Sequence, residues 1–309
     1  MKKNTVIFFT FCGISLFLNL IFALSILSSK KQNDTAASYP LLSPRIFAEN
    51  QNDILINFLT LRKKLRETVA PWGESFSFFF EYLPSGTSIG VNEKVEFKAA
   101  SLIKLPVVMA YFHQKEHAPI QLIDSTVVLE QKDIDKGFGT LWQKGAGTNI
   151  NLEEAARLAI VESDNTATMV LAHRVLQEHF DTVYNGLDID FISAGDQEAI
   201  ITAKQYTSIL KALYFTSVLS KEHSQKILGL LTQTKFADKL PAGVEPGISI
   251  AHKVGILAGN IYQDCGIVYV PQRPYALCMF SKSDDLSAQT RMKAVSEAIY
   301  WYVSTVPRD

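Results

Sequence analysis

The sequence predicts an α+β fold: a five-stranded antiparallel sheet flanked by N- and C-terminal helices, with an all-helical subdomain inserted between its strands. Three observations carry that prediction. Strand-like runs at Phe76–Tyr82 and Thr87–Val91 flank the turn signal Pro84-Ser85-Gly86 early in the chain. Three further runs, Ile248–Val254, Gln263–Val270 and Tyr275–Ser281, follow Gly247 near its end. Between the two groups, apolar residues recur at helical spacing. Early and late strands with short links make one sheet, and the cleft between it and the helical layer is where a ligand would sit.

The elements follow in order. Thr5 to Leu27 is an apolar run without charge, and at about 1.5 Å per residue it spans roughly 34 Å, enough to cross a bilayer. Lys2 and Lys3 precede it and Lys30 and Lys31 follow, so the expected arrangement is an inside N-terminus with the body exported. Residues 1–28 read as an uncleaved signal anchor; a cleaved signal peptide ending at Ala23-x-Ser25 stays open. A cell-envelope, extracytoplasmic location follows in either case. Residues 29–50 show no apolar period and read as a linker, leaving 51–309 as the folded domain.

Phe58, Leu61, Leu65 and Val69 keep helical spacing, so Asp53–Val69 is expected as a helix stopped by Pro71 and Gly73. The sheet part comprises 51–100 and 245–309, the helical part 101–244. Within the latter, Ser101–Phe112 reads as a buried helix, and Asn151 with Glu154 as a capping box opening Leu152–Val161. Asn165–Phe180 is expected as one helix, Thr202 with Gln205 caps the next, and Ser220–Thr232 is another. Leu286–Val303 closes the chain.

Composition excludes several classes of function. With 30 Lys+Arg against 31 Asp+Glu there is no basic block for nucleic acid. Phosphate-loop, dinucleotide, zincin and nucleophile-elbow motifs are missing from the sequence, and no metal or organic cofactor is implied. The chain has three cysteines. Cys12 lies in the apolar run; Cys265 and Cys278 fall on consecutive strands, where export permits a bridge, but the register is open and two small buried residues are expected. His113 and His117, four apart without a third ligand, read as helix-end surface residues, and His252 as packing on the sheet. Trp142 reads equally as cleft rim or core.

Three short motifs stand in one order: Ser101-Leu102-Ile103-Lys104, Ser163-Asp164-Asn165 and Lys253-Val254-Gly255. The first alone carries little, since Ser28…Lys31 and Ser208…Lys211 match it too. Context separates them. Ser101 opens a helix, where backbone N–H groups are free and the dipole is positive, and Lys104 returns to the same face. In apolar surroundings the lysine would lose its proton easily and serve as base for the hydroxyl. Ser163-Asp164-Asn165 interrupts two helices, and Lys253 stands in an apolar strand.

Together the motifs resemble those of the active-site serine β-lactamases and penicillin-binding proteins. The class A β-lactamase branch is the most similar, through Ala99-Ala100-Ser101-Leu102-Ile103-Lys104-Leu105-Pro106, Val161-Glu162-Ser163-Asp164-Asn165-Thr166-Ala167-Thr168 and Ala251-His252-Lys253. The resemblance runs from about Asp53 to Val303. It implies that Ser101 attacks the carbonyl of a β-lactam or D-alanyl peptide, with Lys104 helping to deprotonate it. Ser163 would relay a proton to the leaving nitrogen. Lys253 would hold Ser163 and attract a substrate carboxylate, and Asn165 would bond the substrate's side-chain amide. Gly255 leads to Ile256, whose N–H would form the oxyanion site with that of Ser101. A monomer is expected, with a small-molecule β-lactam or peptide substrate, membrane contact through residues 5–27 and no nucleic acid.

Two departures qualify the resemblance. Val254 stands where the family has Thr or Ser, and Tyr262–Gly266 offers no arginine, so the carboxylate anchor is weakened. The family's Glu-x-x-Leu-Asn string, whose glutamate activates the deacylating water, is missing from Leu187–Thr202. Glu198 lies nearest in sequence but stands too close to the helix opened by Thr202 to match, and Asp188, Asp190 and Asp196 are expected as solvated loop carboxylates. Three functions therefore stay open: a β-lactamase, a D,D-peptidase-like penicillin-binding enzyme, and a non-catalytic peptidoglycan-binding relative.

Overall fold

The computed structural model describes residues 39–41, 57–118, 126–187 and 199–305. The chain divides between Gln51 and Asn52 into two units. Of the first, only a turn at Tyr39–Leu41 is described. Among the described residues no helix is long and apolar enough to cross a membrane; the expected span at 5–27 lies outside them, as do Cys12 and the acids Asp188, Asp190, Asp196 and Glu198.

Helix α1 (Leu59–Val69) buries Leu61, Leu65 and Val69 along one face and ends in a 3-10 stretch, Ala70–Ser75, that holds Pro71. Strands β1 (Phe76–Tyr82) and β2 (Thr87–Val91) form the expected hairpin. Strands β7 (Ile250–Leu257), β8 (Ile261–Val268) and β9 (Tyr275–Lys282) complete one antiparallel sheet of five strands in the order β2-β1-β9-β8-β7, and β7 is an edge. Every residue of β1 is buried, because both faces of the sheet are covered. Phe76, Phe78, Phe80 and Tyr82 join Tyr275, Leu277 and Met279 in a core closed by α1 and by α8 (Asp285–Thr305). The alternate residues face the helical layer, where α6 (Ala203–Tyr214) packs and Lys211 meets Glu81 at 2.7 Å.

The helical layer holds α2 (Lys104–His117), α3 (Leu152–Val161), α4 (Asn165–Ala172), α5 (Gln177–Asn185), α6 and α7 (Lys221–Leu231). Asn151 caps α3 by accepting from the N–H groups of Glu153 and Glu154. The expected reciprocal bond is not made, since Glu154 turns to Arg157 at 2.8 Å. Thr202 and Gln205 form a complete capping box on α6. Glu153 takes Lys115 and Lys226 together, and these bonds hold its carboxyl down to about 2 while tying α3 to α2 and α7.

Four further expectations are corrected. Asn165–Phe180 is two helices: the chain breaks at 173–176, where the buried Gln114 accepts from Leu176 N (2.7 Å) and Arg174 reaches Asp133 (3.0 Å). Ser101 lies in a 3-10 turn, Ala100–Ile103, and α2 proper starts at Lys104. His113 is not a surface residue; α5 covers it, and its Nδ1 lies at hydrogen-bond distance, 2.9 Å, from Nδ1 of His179. Cys265 and Cys278 are not separate small residues but a disulfide, because the register sets them directly opposite each other with Cα atoms 4.0 Å apart.

Two short pairings escaped the sequence pattern. Strand β4 (Thr126–Val128) pairs with β5 (Asn149–Asn151), and β3 (Phe97–Lys98) with β6 (Ile200–Ile201). The second pairing anchors the candidate nucleophile, since β3 leads straight into the turn that carries Ser101.

Candidate active site

Three elements meet at one point: the 3-10 turn with the start of α2, the bend between α3 and α4, and the edge strand β7. The turn is held on three sides. Ala99 N donates to Ala199 O at 2.7 Å, continuing the β3–β6 pairing; Tyr206 from α6 donates to Leu102 O at 3.3 Å; and β7 packs against it. Ala100, just before the candidate nucleophile, sits at φ +47°, and Ser163 at +55°. Non-glycine residues hold such a backbone only where the surroundings impose it, and both examples flank the same cleft.

The bend is organised by Asp164. Its carboxylate is fully buried and accepts from Thr140 N (2.7 Å), Leu141 N (2.8 Å) and, as the cap of α4, Ala167 N (2.9 Å). Those bonds turn Ser163 and Asn165 toward Lys104. The Lys104 ammonium donates to the Ser163 carbonyl, to Ser163 Oγ at 3.2 Å and to Asn165 Oδ1 at 2.6 Å. Asn165 Nδ2 in turn donates to Asp135 Oδ1 at 3.0 Å. Burial pulls the Lys104 pKa down from 10.5 to about 8, against the opposing pull of the Asp164 and Asp135 charges.

From the sheet side, Lys253 Nζ donates to Ser163 Oγ at 2.8 Å and, more weakly, to Val254 O at 3.4 Å. Lys253 is fully buried, unlike the solvent-facing lysines usual on an edge strand. Burial, and then the charge of Lys104, push its pKa well below the ordinary lysine value, partly offset by Asp264. Ser163 Oγ is thus shared by two lysines that both lose protons readily.

Strand register places the backbone groups of β7. Cys265 and Cys278 form a close opposed pair, the kind in which neither residue hydrogen-bonds to the other's backbone. Cys265 therefore turns its backbone toward β7, making Lys253↔Cys265 a hydrogen-bonded pair. By alternation, Val254 and Ile256 direct N–H and C=O to the free edge, which is where Val254 O meets Lys253 Nζ. Ile256 N–H consequently points to the free edge of β7, the strand against which the Ser101 turn packs. Gly255 lies between them with no room for a side chain: a Cβ would stand 2.3 Å from Gln263 Oε1 and 3.2 Å from Leu102.

The structure thus brings together Lys104, Ser163, Asn165 and Lys253, with Gly255 and Ile256 against the Ser101 turn. It does not join Ser101 to Lys104: among the described residues Ser101 Oγ has no hydrogen-bond partner, because the lysine is drawn to the stronger acceptors of the bend. Val254 is 3% exposed and lies across from Asp264. His252, buried on the sheet as expected, bonds Asp264 at 2.8 Å. Trp142 is half-buried under Lys136, its Nε1 donating to Gly139 O at 3.1 Å.

Asp135 and Phe138 are site residues that the motif reading missed. Asp135 sits in an Asx turn, accepting from Gly137 N at 2.7 Å, and Asp-x-Gly was a legible signal for it. Phe138, 48% exposed, hangs its ring 6.0 Å from Lys104 Nζ, and nothing in its sequence neighbourhood announced that. Among the described residues no group of His, Cys, Asp and Glu could hold a metal.

Comparison with known proteins agrees with this geometry. Residues 60–303 match the model of the Beta-lactamase enzyme family. A β-lactamase of Bacillus amyloliquefaciens is 24% identical over 229 residues, covering 69% of this chain and 74% of that one. Among solved structures, PBP-A has a TM-score of 0.73 at 24% identity, covering 80% of this chain and 97% of its own. A mutant of PBP-A in an acyl-enzyme complex with penicillin G has the same score and coverage at 23% identity. A β-lactamase from Sphaerobacter thermophilus has a TM-score of 0.72 at 22% identity, covering 82% and 100% of the two chains. At these identities the structural likeness establishes the fold.

Proposed function

The chain belongs to the β-lactamase enzyme family, and from that premise we propose that it is a serine hydrolase of the class A β-lactamase type, opening a β-lactam amide through an ester on Ser101. The observation that carries the reading is the double hold on Ser163 Oγ, by Lys253 at 2.8 Å and Lys104 at 3.2 Å. A hydroxyl between two readily deprotonated lysines is suited to pass a proton to a leaving nitrogen and recover it. Ser101 Oγ adds to the carbonyl, its proton goes to Lys104, and the oxyanion is held by the N–H groups of Ser101 and Ile256. The C–N bond then breaks as Ser163 protonates the nitrogen.

A second reading is a D,D-carboxypeptidase-like penicillin-binding enzyme acting on D-alanyl peptides. The missing Glu-x-x-Leu-Asn string favours it, since the ester on Ser101 then lacks the family's usual water activator. The acyl-enzyme that a PBP-A mutant forms with penicillin G illustrates such an adduct on a related fold. In both readings the domain works outside the cytoplasm, tethered or exported through residues 5–27.

Intact-mass measurement of the full chain with benzylpenicillin, followed over time, tests both. A transient adduct with penicilloic acid accumulating supports the β-lactamase; an adduct that persists supports the penicillin-binding enzyme. No adduct and no penicilloic acid, or an adduct that survives Ser101→Ala, removes both.

A further inference from the structure

The two N–H groups assigned to the oxyanion ride on different elements. Ser101 belongs to the turn that follows β3, and Ile256 to the edge strand β7, far along the chain. Their separation decides whether both reach one oxygen, so something must fix the turn against the sheet. Tyr206 holds the turn only from the helical layer.

Gln263 supplies a link from the sheet side. It is fully buried on β8, directly opposite Gly255. Its Nε2 donates to the carbonyl of Lys98 at 2.8 Å, three residues before Ser101. The side chain passes beside Gly255, whose missing Cβ leaves the space that Oε1 occupies. That Oε1 is buried and has no hydrogen-bond partner among the described residues. Such an acceptor is costly, and an apolar residue of similar length would avoid the cost. The bond to Lys98 is the compensating feature.

We infer that Gln263 is a positioning residue for acyl transfer: by tying Lys98 to β8 beside Gly255, it sets the distance between the Ser101 and Ile256 N–H groups. The inference rests on the reading of Ser101 as the acylated nucleophile. Gln263 touches neither substrate nor reacting atoms; it acts through the backbone on either side of the oxyanion. The lining up of three features supports it: the register opposite Gly255, the space a side chain there would fill, and a bond that ends on the strand leading into the nucleophile's turn.

The test is Gln263→Met, which keeps length and removes both polar atoms, beside Gln263→Asn, which keeps the amide but is too short to reach Lys98. Acylation of the full chain by benzylpenicillin is followed by stopped-flow and intact mass. The expected result is an acylation rate constant lower by about tenfold to a hundredfold, the scale of a misplaced oxyanion donor, with the preceding noncovalent binding little changed. The carbonyl band of the ester on Ser101, read by infrared difference spectroscopy, is expected to move to higher frequency as its hydrogen bonds weaken. A purely structural role would lower the melting temperature without moving that band. If the wild-type chain forms no ester, the nucleophile assignment fails and takes the inference with it. If the wild type acylates and a folded Met or Asn variant matches it in rate and band, only the role of Gln263 is overturned.

Discussion

Gly139 and Asp164 occupy each other's space: a Cβ on Gly139 would stand 2.1 Å from Asp164 Oδ2 and 2.6 Å from its Cα. The glycine also sits at φ +93°, so backbone and packing both exclude a side chain. Through this contact the loop carrying Phe138 lies close enough for Thr140 N and Leu141 N to reach the Asp164 carboxylate.

Gly139→Ala is therefore expected to break those bonds and lower stability by about 2–4 kcal/mol, the range for disrupting a buried hydrogen-bonded charge. Gly147 is the control. It has a similar φ of +91° but nothing within 4 Å of its Cβ, so Gly147→Ala should cost only about 1–2 kcal/mol of backbone strain. Urea denaturation compares the two, and equal losses would refute the packing argument.

Lys104 sets a pH dependence. With its pKa lowered to about 8, roughly a tenth of the side chain is free amine at pH 7, and the fraction rises through pH 8. The acylation rate should climb with pH over that window and level off above it. Lys104→Arg, which stays protonated, should lose acylation at every pH. The same shift bears on folding. The folded chain holds fewer protons at this site than the unfolded one between about 8 and 10.5, so the burden of burying Lys104 is relieved as pH rises there. A rate that falls across pH 7 to 8.5 would contradict the assignment of Lys104 as base.

The disulfide makes a separate prediction about stability. Cys265 and Cys278 are 13 residues apart in sequence, and closing a loop of that size limits the unfolded chain by about 3 kcal/mol. Cys278→Ala should destabilise by roughly 2–3 kcal/mol, and reducing agent should do the same to the wild type but nothing further to the variant. Alkylation of both thiols without prior reduction would show that no bridge forms.

The sheet and most of the helices were legible because their signals are local. The Phe76–Tyr82 and Thr87–Val91 hairpin needs only alternation and Pro84-Ser85-Gly86, and α6 needs only Thr202 with Gln205. The motifs likewise pointed to Ser101, Lys104, Ser163 and Lys253. What stayed hidden depends on contacts between distant segments. The break after Ala172 follows from Gln114 on another helix, and the burial of His113 from α5 packing over it. The disulfide needed a register that sequence alone leaves open, since a shift of one residue would have separated the sulfurs. Asp135 was overlooked for a different reason: its role depends on Asn165, and no spacing links the two.

That pairing yields the most direct check on the electrostatics of the site. Asp135 accepts from Asn165 Nδ2 at 3.0 Å and Gly137 N at 2.7 Å through one oxygen, and its negative charge raises the pKa of Lys104. Asp135→Asn keeps an oxygen for both bonds and removes only the charge. With that pull gone, burial dominates further, the Lys104 pKa falls, and more of the amine is free at neutral pH. The pH profile for acylation should therefore move to lower pH, and the rate at pH 7 should rise rather than fall. Asp135→Ala, which also releases Asn165, is expected to move the profile in the same direction while lowering the plateau. An alkaline shift in the Asn variant, or none, would mean that Lys104 is not the group whose ionisation limits acylation.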